Sequence, residues 1–92
     1  MITSDKHNKS ASANEHGIKI TSLPLAARAR IVSIAGDRAV WKRLHEVGLH
    51  IGDLITVSQH APFRGPLLVN CNGHEIALGR SIAAKIFVQV VA

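Results

Sequence analysis

Aromatic residues are scarce in this 92-residue sequence, which contains one tryptophan, two phenylalanines and no tyrosine. The bases of single-stranded nucleic acids usually stack on aromatic side chains. The scarcity of aromatic residues therefore counts against a protein that binds single-stranded DNA or RNA. Hydrophobic residues nevertheless make up 47% of the sequence, a share typical of a globular protein. The core is therefore predicted to be aliphatic and, at this length, to belong to a single domain.

Cysteine and long apolar segments are also lacking. The single Cys71 excludes an intramolecular disulfide and fits a reducing cytosol. No apolar run approaches the ~18–20 residues of a membrane span, and the polar N-terminus is unlike a signal peptide. We therefore expect a cytoplasmic protein. Residues 1–17 have no hydrophobic period and are rich in Ser, Asn, Lys and His, which predicts a disordered leader before a folded domain at 18–92.

Acidic residues are few, six against eleven lysines and arginines, which gives a formal charge of +5. A net positive charge is typical of proteins that bind a nucleic acid, an anionic membrane surface or an acidic protein partner. The basic residues form no run of five or more, however, and are typical of a solvated surface. The carboxylates are scattered and no glycine-rich phosphate loop is present, so the sequence does not predict an enzyme.

Histidine is comparatively frequent, with six residues, and raises the question of a metal site. Structural zinc needs about four converging ligands. Cys71 and His74 are expected to face each other across a hairpin, and His45 and His50 flank one turn, but neither pair has an obvious third ligand. We therefore predict no metal and no cofactor, and these four residues are the only metal candidates. The Cys71–His74 pair also lacks the third group that would orient a nucleophilic site.

The segment 37–52 predicts a short helix and an abrupt turn after it. Asp37 suits the N-cap position. Three apolar residues share one face at helical spacing: Val40, Leu44 and Val47. Gly48 is placed where a left-handed residue ends a helix, with Leu44 and Leu49 in contact across the cap. Gly52 then turns the chain into a strand.

Five segments have the composition of short strands: 28–34, 54–60, 67–71, 74–78 and 86–91. The dipeptide Asn72-Gly73 predicts a two-residue hairpin turn, because both turn residues must adopt positive φ. That turn fixes the register, with Cys71 opposite His74, Val69 opposite Ile76 and Leu67 opposite Leu78. These pairs are expected to face the core.

Two further details complete the predicted architecture. Alternation along 54–60 places Ile55, Val57 and Gln59 on one face, and Ser81 is expected to cap a single helical turn, 82–85. Five short strands with one inserted helix and a short C-terminal helical turn suit a small, mainly-β barrel.

The stretch RLHEVGLHIGDLITVSQHAPFRGPLLV resembles the FeoA (ferrous iron transport protein A) family. That family typically reads R-L-x-x-L/M-G-L-x-x-G, then a strand, then A-P-x-x-x-P. The similarity covers about 22–91, and Val47 departs from the pattern by replacing a larger Leu or Met. The resemblance implies an SH3-like barrel. It also implies a non-catalytic accessory protein of bacterial ferrous iron uptake, in contact with the GTPase-like cytoplasmic region of the membrane transporter FeoB.

The loop 61–66 is the predicted partner-binding site. Two prolines stiffen it, and Phe63 and Arg64 are of the types that dominate interface energetics. We predict that Pro62, Phe63 and Arg64 bind the partner, with Lys42 and Arg43 of the helix as a second surface. The alternative is that Phe63 folds back and closes one end of the barrel.

Two other functions remain open. The first is a basic small barrel that binds nucleic acid. The second is a metal-responsive regulatory module, because similar barrels occur as C-terminal domains of iron-dependent repressors. No DNA-reading helix pair precedes the barrel in this sequence, which counts against the second function.

Overall fold

The computed structural model describes residues 17–91. Its elements are β1 (Ile18–Lys19), a 3₁₀ helix (Ile20–Ser22), β2 (Arg28–Ile34), α1 (Arg38–Val47), β3 (Leu54–His60), β4 (Leu67–Cys71), β5 (His74–Leu78), α2 (Arg80–Ala83) and β6 (Ile86–Val90). The mainly-β class, the inserted helix and the short C-terminal helix are confirmed. The structure has six strands instead of five, because the two-residue β1 was not predicted. Apart from Gly17, the predicted leader lies outside the described residues.

The strands form one antiparallel sheet in the order β1-β6-β2-β3-β4-β5. The pairing of β2 with β6 brings the two ends of the domain together, and β1 adds to the outer side of β6. The buried core is aliphatic, as predicted, and the described residues contain no buried polar or charged side chain.

The β4–β5 hairpin has the predicted register in full. Asn72 and Gly73 occupy the turn with φ values of 55° and 81°, and Cys71 pairs with His74. The core side of the hairpin is buried at Leu67, Val69, Cys71 and Leu78. His74 is exposed, so the expectation that it faces the core is wrong. It is the first residue after the two-residue turn and lies at the exposed end of the hairpin.

Two β-bulges change which residues face the core. In β2 the register shifts between Ile31 and Ser33. The next buried residue after Ile31 is therefore Ile34, three positions on, and not Ser33. In β3 the register shifts between Val57 and Gln59. As a result Gln59 is exposed and His60 is half-buried opposite Leu67, so Gln59 does not share the buried face of Ile55 and Val57 as the alternation predicted. A bulge places two residues against one and thereby reverses the alternation beyond it.

Helix α1 begins and ends as predicted. A side-chain oxygen of Asp37 accepts the Val40 N–H at 3.2 Å, and Gly48 has φ 92°. The Gly48 N–H donates to His45 O at 3.0 Å and the Leu49 N–H donates to Leu44 O at 2.9 Å, the paired bonds of a Schellman cap.

The apolar stripe of α1 is narrower than expected. Leu44 is its only buried residue, Val40 is half-buried and Val47 is 36% exposed. The helix therefore docks mainly through Leu44, with the half-buried Val40 packed against the core beside it. The expectation that Val47 shares the buried face is wrong.

Helix α2 corrects the predicted cap. It starts at Arg80 with Gly79 as N-cap, and no side chain caps it. The Gly79 carbonyl accepts the Ala83 N–H at 2.9 Å, so the single turn closes two residues earlier than it would with a cap at Ser81. Ala83 is the residue that this helix buries.

Candidate functional site: the β3–β4 loop

The predicted partner-binding loop closes with two backbone hydrogen bonds. The Ala61 N–H donates to Pro66 O at 3.3 Å, and inside that pair the Gly65 N–H donates to Pro62 O at 3.0 Å. Residues 62–65 therefore form a four-residue turn whose two central positions are Phe63 and Arg64.

Both central residues adopt a left-handed backbone. Phe63 has φ 56° and Arg64 has φ 59°, a combination that the type I′ turn requires and that Asn-Gly satisfies best. The left-handed region costs an L-residue with a Cβ roughly 1–2 kcal/mol of conformational free energy. The β4–β5 turn of the same chain meets the same requirement with Asn72 and Gly73. Phenylalanine and arginine are thus unfavourable choices for the backbone of their own turn.

Burial does not offset this cost. The Phe63 side chain is 99% exposed, and Arg64 is exposed beside it. The alternative in which Phe63 closes one end of the barrel is therefore wrong. The loop presents a complete aromatic ring and a guanidinium group to solvent.

The base of the loop is held from two sides. Arg80, in α2, donates from Nε to Gly65 O at 3.1 Å. At Gly65 itself, a Cβ would lie 2.8 Å from Ala61 Cβ and 3.1 Å from Pro62 O, which is too close for a side chain. Glycine at this position lets the two arms of the loop approach each other. The tip is therefore carried on a rigid support.

The loop is electrostatically positive. Arg64 lies at its tip, Arg80 lies at its base, and residues 61–66 contain no carboxylate. An incoming surface consequently meets cationic groups next to an exposed ring.

The second predicted surface lies on a separate element. Lys42 and Arg43 are exposed on α1, where they border a groove of about 380 Å³ between α1 and α2. The groove also contains Glu46 and the apolar side chains of Val40 and Ile82. Its charge is mixed, in contrast with that of the loop.

The three aromatic residues lie on three separate parts of the fold. Trp41 lies on α1, Phe63 on the β3–β4 loop and Phe87 on β6. Because single strands bind across aromatic residues that share one surface, this distribution does not favour the nucleic-acid alternative.

The metal candidates separate into two pairs. The rings of His45 and His50 pack edge to face, with centroids 4.9 Å apart. Asp53, which the sequence did not single out, accepts the backbone N–H of His50 at 2.9 Å and lies 3.3 Å from its Nδ1. Within residues 17–91, no three or more His, Cys, Asp or Glu side chains are placed to hold a metal ion.

Metal titration tests this arrangement. We expect Zn²⁺ or Fe²⁺, added to the reduced protein, to bind no tighter than micromolar, because structural zinc needs about four converging ligands and not even three converge within residues 17–91. Isothermal titration calorimetry is the measurement. A tighter site that His45→Ala or Cys71→Ser abolishes would contradict the prediction.

Cys71 is a structural thiol. It is buried, and burial, followed by the negative charge of Asp53 and a hydrogen bond to it, raises the pKa of the thiol above its ordinary value. A nucleophilic cysteine needs the opposite shift.

The raised pKa predicts a loss of stability at alkaline pH. The unfolded thiol ionises around its ordinary pKa of 9.0 while the folded thiol stays protonated, so the stabilisation is complete below that pH and falls as the pH rises through the folded pKa. Urea denaturation between about pH 7.5 and pH 10.5 should show wild type losing stability relative to Cys71→Val. Parallel profiles for the two proteins would contradict this prediction.

Comparison with known proteins places the whole described domain in one family. The family model described as "FeoA domain" matches residues 18–90. The chain belongs to the FeoA family. Members of this family serve in ferrous iron transport, and the match spans every strand and helix described above.

One relative joins two proteins in a single chain. The Fe(2+) transport protein A/Fe(2+) transporter FeoB fusion protein of Porphyromonas gingivalis is 33% identical over 75 residues, which are 82% of this chain and 9% of the relative. This FeoA-family chain therefore corresponds to a small part of the fusion protein.

Two solved structures share the fold. FeoA from Chlorobium tepidum is 36% identical, with a TM-score of 0.74 over 82% of this chain and 71% of that one. Iron(II) transport protein A from Clostridium thermocellum is 27% identical, with a TM-score of 0.76 over 80% of this chain and 46% of that one. The SH3-like, barrel-like fold implied by the sequence resemblance is thus confirmed. No helix within residues 17–91 is long and apolar enough to cross a bilayer.

Proposed function

We propose that this FeoA-family chain is a cytoplasmic accessory protein of ferrous iron uptake that acts without catalysis, by contact with the cytoplasmic region of FeoB. The observation that carries the proposal is the natural fusion of a similar domain to FeoB in one polypeptide. Covalent linkage holds two modules at high effective concentration, which benefits a pair that must bind each other.

The chemistry of the site agrees with a binding role. The exposed ring of Phe63 and the positive β3–β4 loop suit an interface, while the buried, protonated thiol of Cys71 does not suit catalysis. We propose Pro62, Phe63 and Arg64 as the contact residues, with Lys42 and Arg43 as the second candidate surface.

A binding measurement tests the function. The full chain is immobilised and titrated with the purified cytoplasmic region of FeoB from the same organism, using biolayer interferometry. We expect saturable binding, and we expect the wild-type gene to restore ferrous iron uptake in a strain that lacks it. Absence of binding, together with normal uptake in the deletion strain, would refute the proposal.

A further inference from the structure

We propose that the Phe63-Arg64 tip is the recognition element of this domain and that it inserts into an apolar pocket of FeoB bordered by carboxylates. This inference rests on the proposed function, and it specifies the chemistry of the surface that the partner must offer. Three features of the loop support it: its backbone conformation, its rigidity and its charge.

The backbone conformation shows that these two residues are not selected for the turn. Between residues 17 and 91 two turns have consecutive positive φ values, with Asn-Gly in one and Phe-Arg in the other. Local choices that oppose the fold are typical of functional positions, where another requirement outweighs stability. Since Phe63 is 99% exposed, that requirement lies outside this domain.

The loop is rigid before it binds. Its two backbone hydrogen bonds, the Arg80 Nε bond to Gly65 O and the close approach of its arms at Gly65 all fix the direction of the tip. A preorganised tip loses little conformational entropy on association. Only the two side chains remain to be ordered.

The exposed groups define the partner. A phenylalanine ring gains most when it is removed from water on all sides, which requires a pocket rather than a flat surface. Arg64 adjoins the ring, Arg80 lies behind it, and residues 61–66 contain no carboxylate. Carboxylates at the pocket rim would therefore pair with guanidinium groups that have no carboxylate neighbour within the loop.

The two turns provide matched variants. Phe63→Asn/Arg64→Gly removes the tip and supplies the residues that the backbone favours, so the melting temperature should rise by several degrees while binding to the FeoB cytoplasmic region weakens at least ~10-fold. Asn72→Phe/Gly73→Arg makes the reverse exchange in the other turn. It should lower the melting temperature and leave the affinity unchanged.

Single variants separate the two side chains. Phe63→Ala should weaken binding at every salt concentration. Arg64→Ala should weaken binding mainly at low salt and reduce the dependence of the affinity on salt, because a charge pair is screened by ions. An unchanged salt dependence in Arg64→Ala would refute the acidic rim.

The remaining outcomes are distinguishable. If wild type itself fails to bind the FeoB region, the proposed function fails. If wild type and Phe63→Asn/Arg64→Gly bind equally well, the inference fails while the proposed function stands. Lys42→Ala/Arg43→Ala tests the second candidate surface. A loss confined to that variant would assign the contact to the groove between α1 and α2 and would overturn the inference.

Discussion

Leu44→Ala is expected to lower the free energy of unfolding by about 3 kcal/mol, within the range seen when a buried leucine is truncated. Leu44 is fully buried and is the only buried residue of α1. The substitution therefore opens a cavity and also removes the main contact that holds this helix on the sheet. Urea denaturation followed by circular dichroism measures the change.

Val47→Ala is the matched control on the same helix. Val47 is 36% exposed, so its truncation should cost less than ~1 kcal/mol. Equal losses for the two variants would mean that α1 docks through a broad apolar stripe, as its spacing alone suggested, and not through Leu44.

Gly48→Val is expected to lower the free energy of unfolding by roughly 2 kcal/mol or more, because a β-branched residue resists positive φ. Gly48 has φ 92°, and a Cβ there would meet no atom within 4 Å. The cost is therefore conformational, without a steric clash. The same substitution at Gly79 provides the control, since that residue has φ −61° and is equally open.

Gly79→Val should cost at most ~1 kcal/mol, as surface substitutions usually do. Chemical denaturation of both variants gives the difference directly. If Gly48→Val is as stable as wild type, the left-handed cap cannot be the feature that ends α1.

Features encoded in a few neighbouring residues were predictable from the sequence. Asn72-Gly73 fixed a hairpin and its register, and Asp37 and Gly48 fixed both ends of α1. In each case the deciding interaction joins residues at most five positions apart in the chain, or follows from a φ value that favours one residue type.

Features set by distant pairing were not predictable. Strand β1 has two residues and exists because Ile18 and Lys19 pair with Val88 and Phe87. The two bulges likewise depend on the pairing register of neighbouring strands, and no residue type at those positions predicts them.

The candidate site was predicted in part. The exposure of Phe63 followed from a core that aliphatic residues could fill without it. Its positive φ did not follow, because neither phenylalanine nor arginine favours that conformation. The support from Arg80 was also missed, since it bonds to Gly65 from fifteen positions away.

The bulges in β2 and β3 have a consequence for reading substitution tolerance along the chain. In a saturation-mutagenesis map, tolerance along a regular strand oscillates with a period of two. Along β2 the intolerant positions should instead run 29, 31 and then 34, and along β3 they should run 55, 57 and then 60. The phase of the oscillation slips by one residue at each bulge, so such a map would locate both irregularities without any structural measurement.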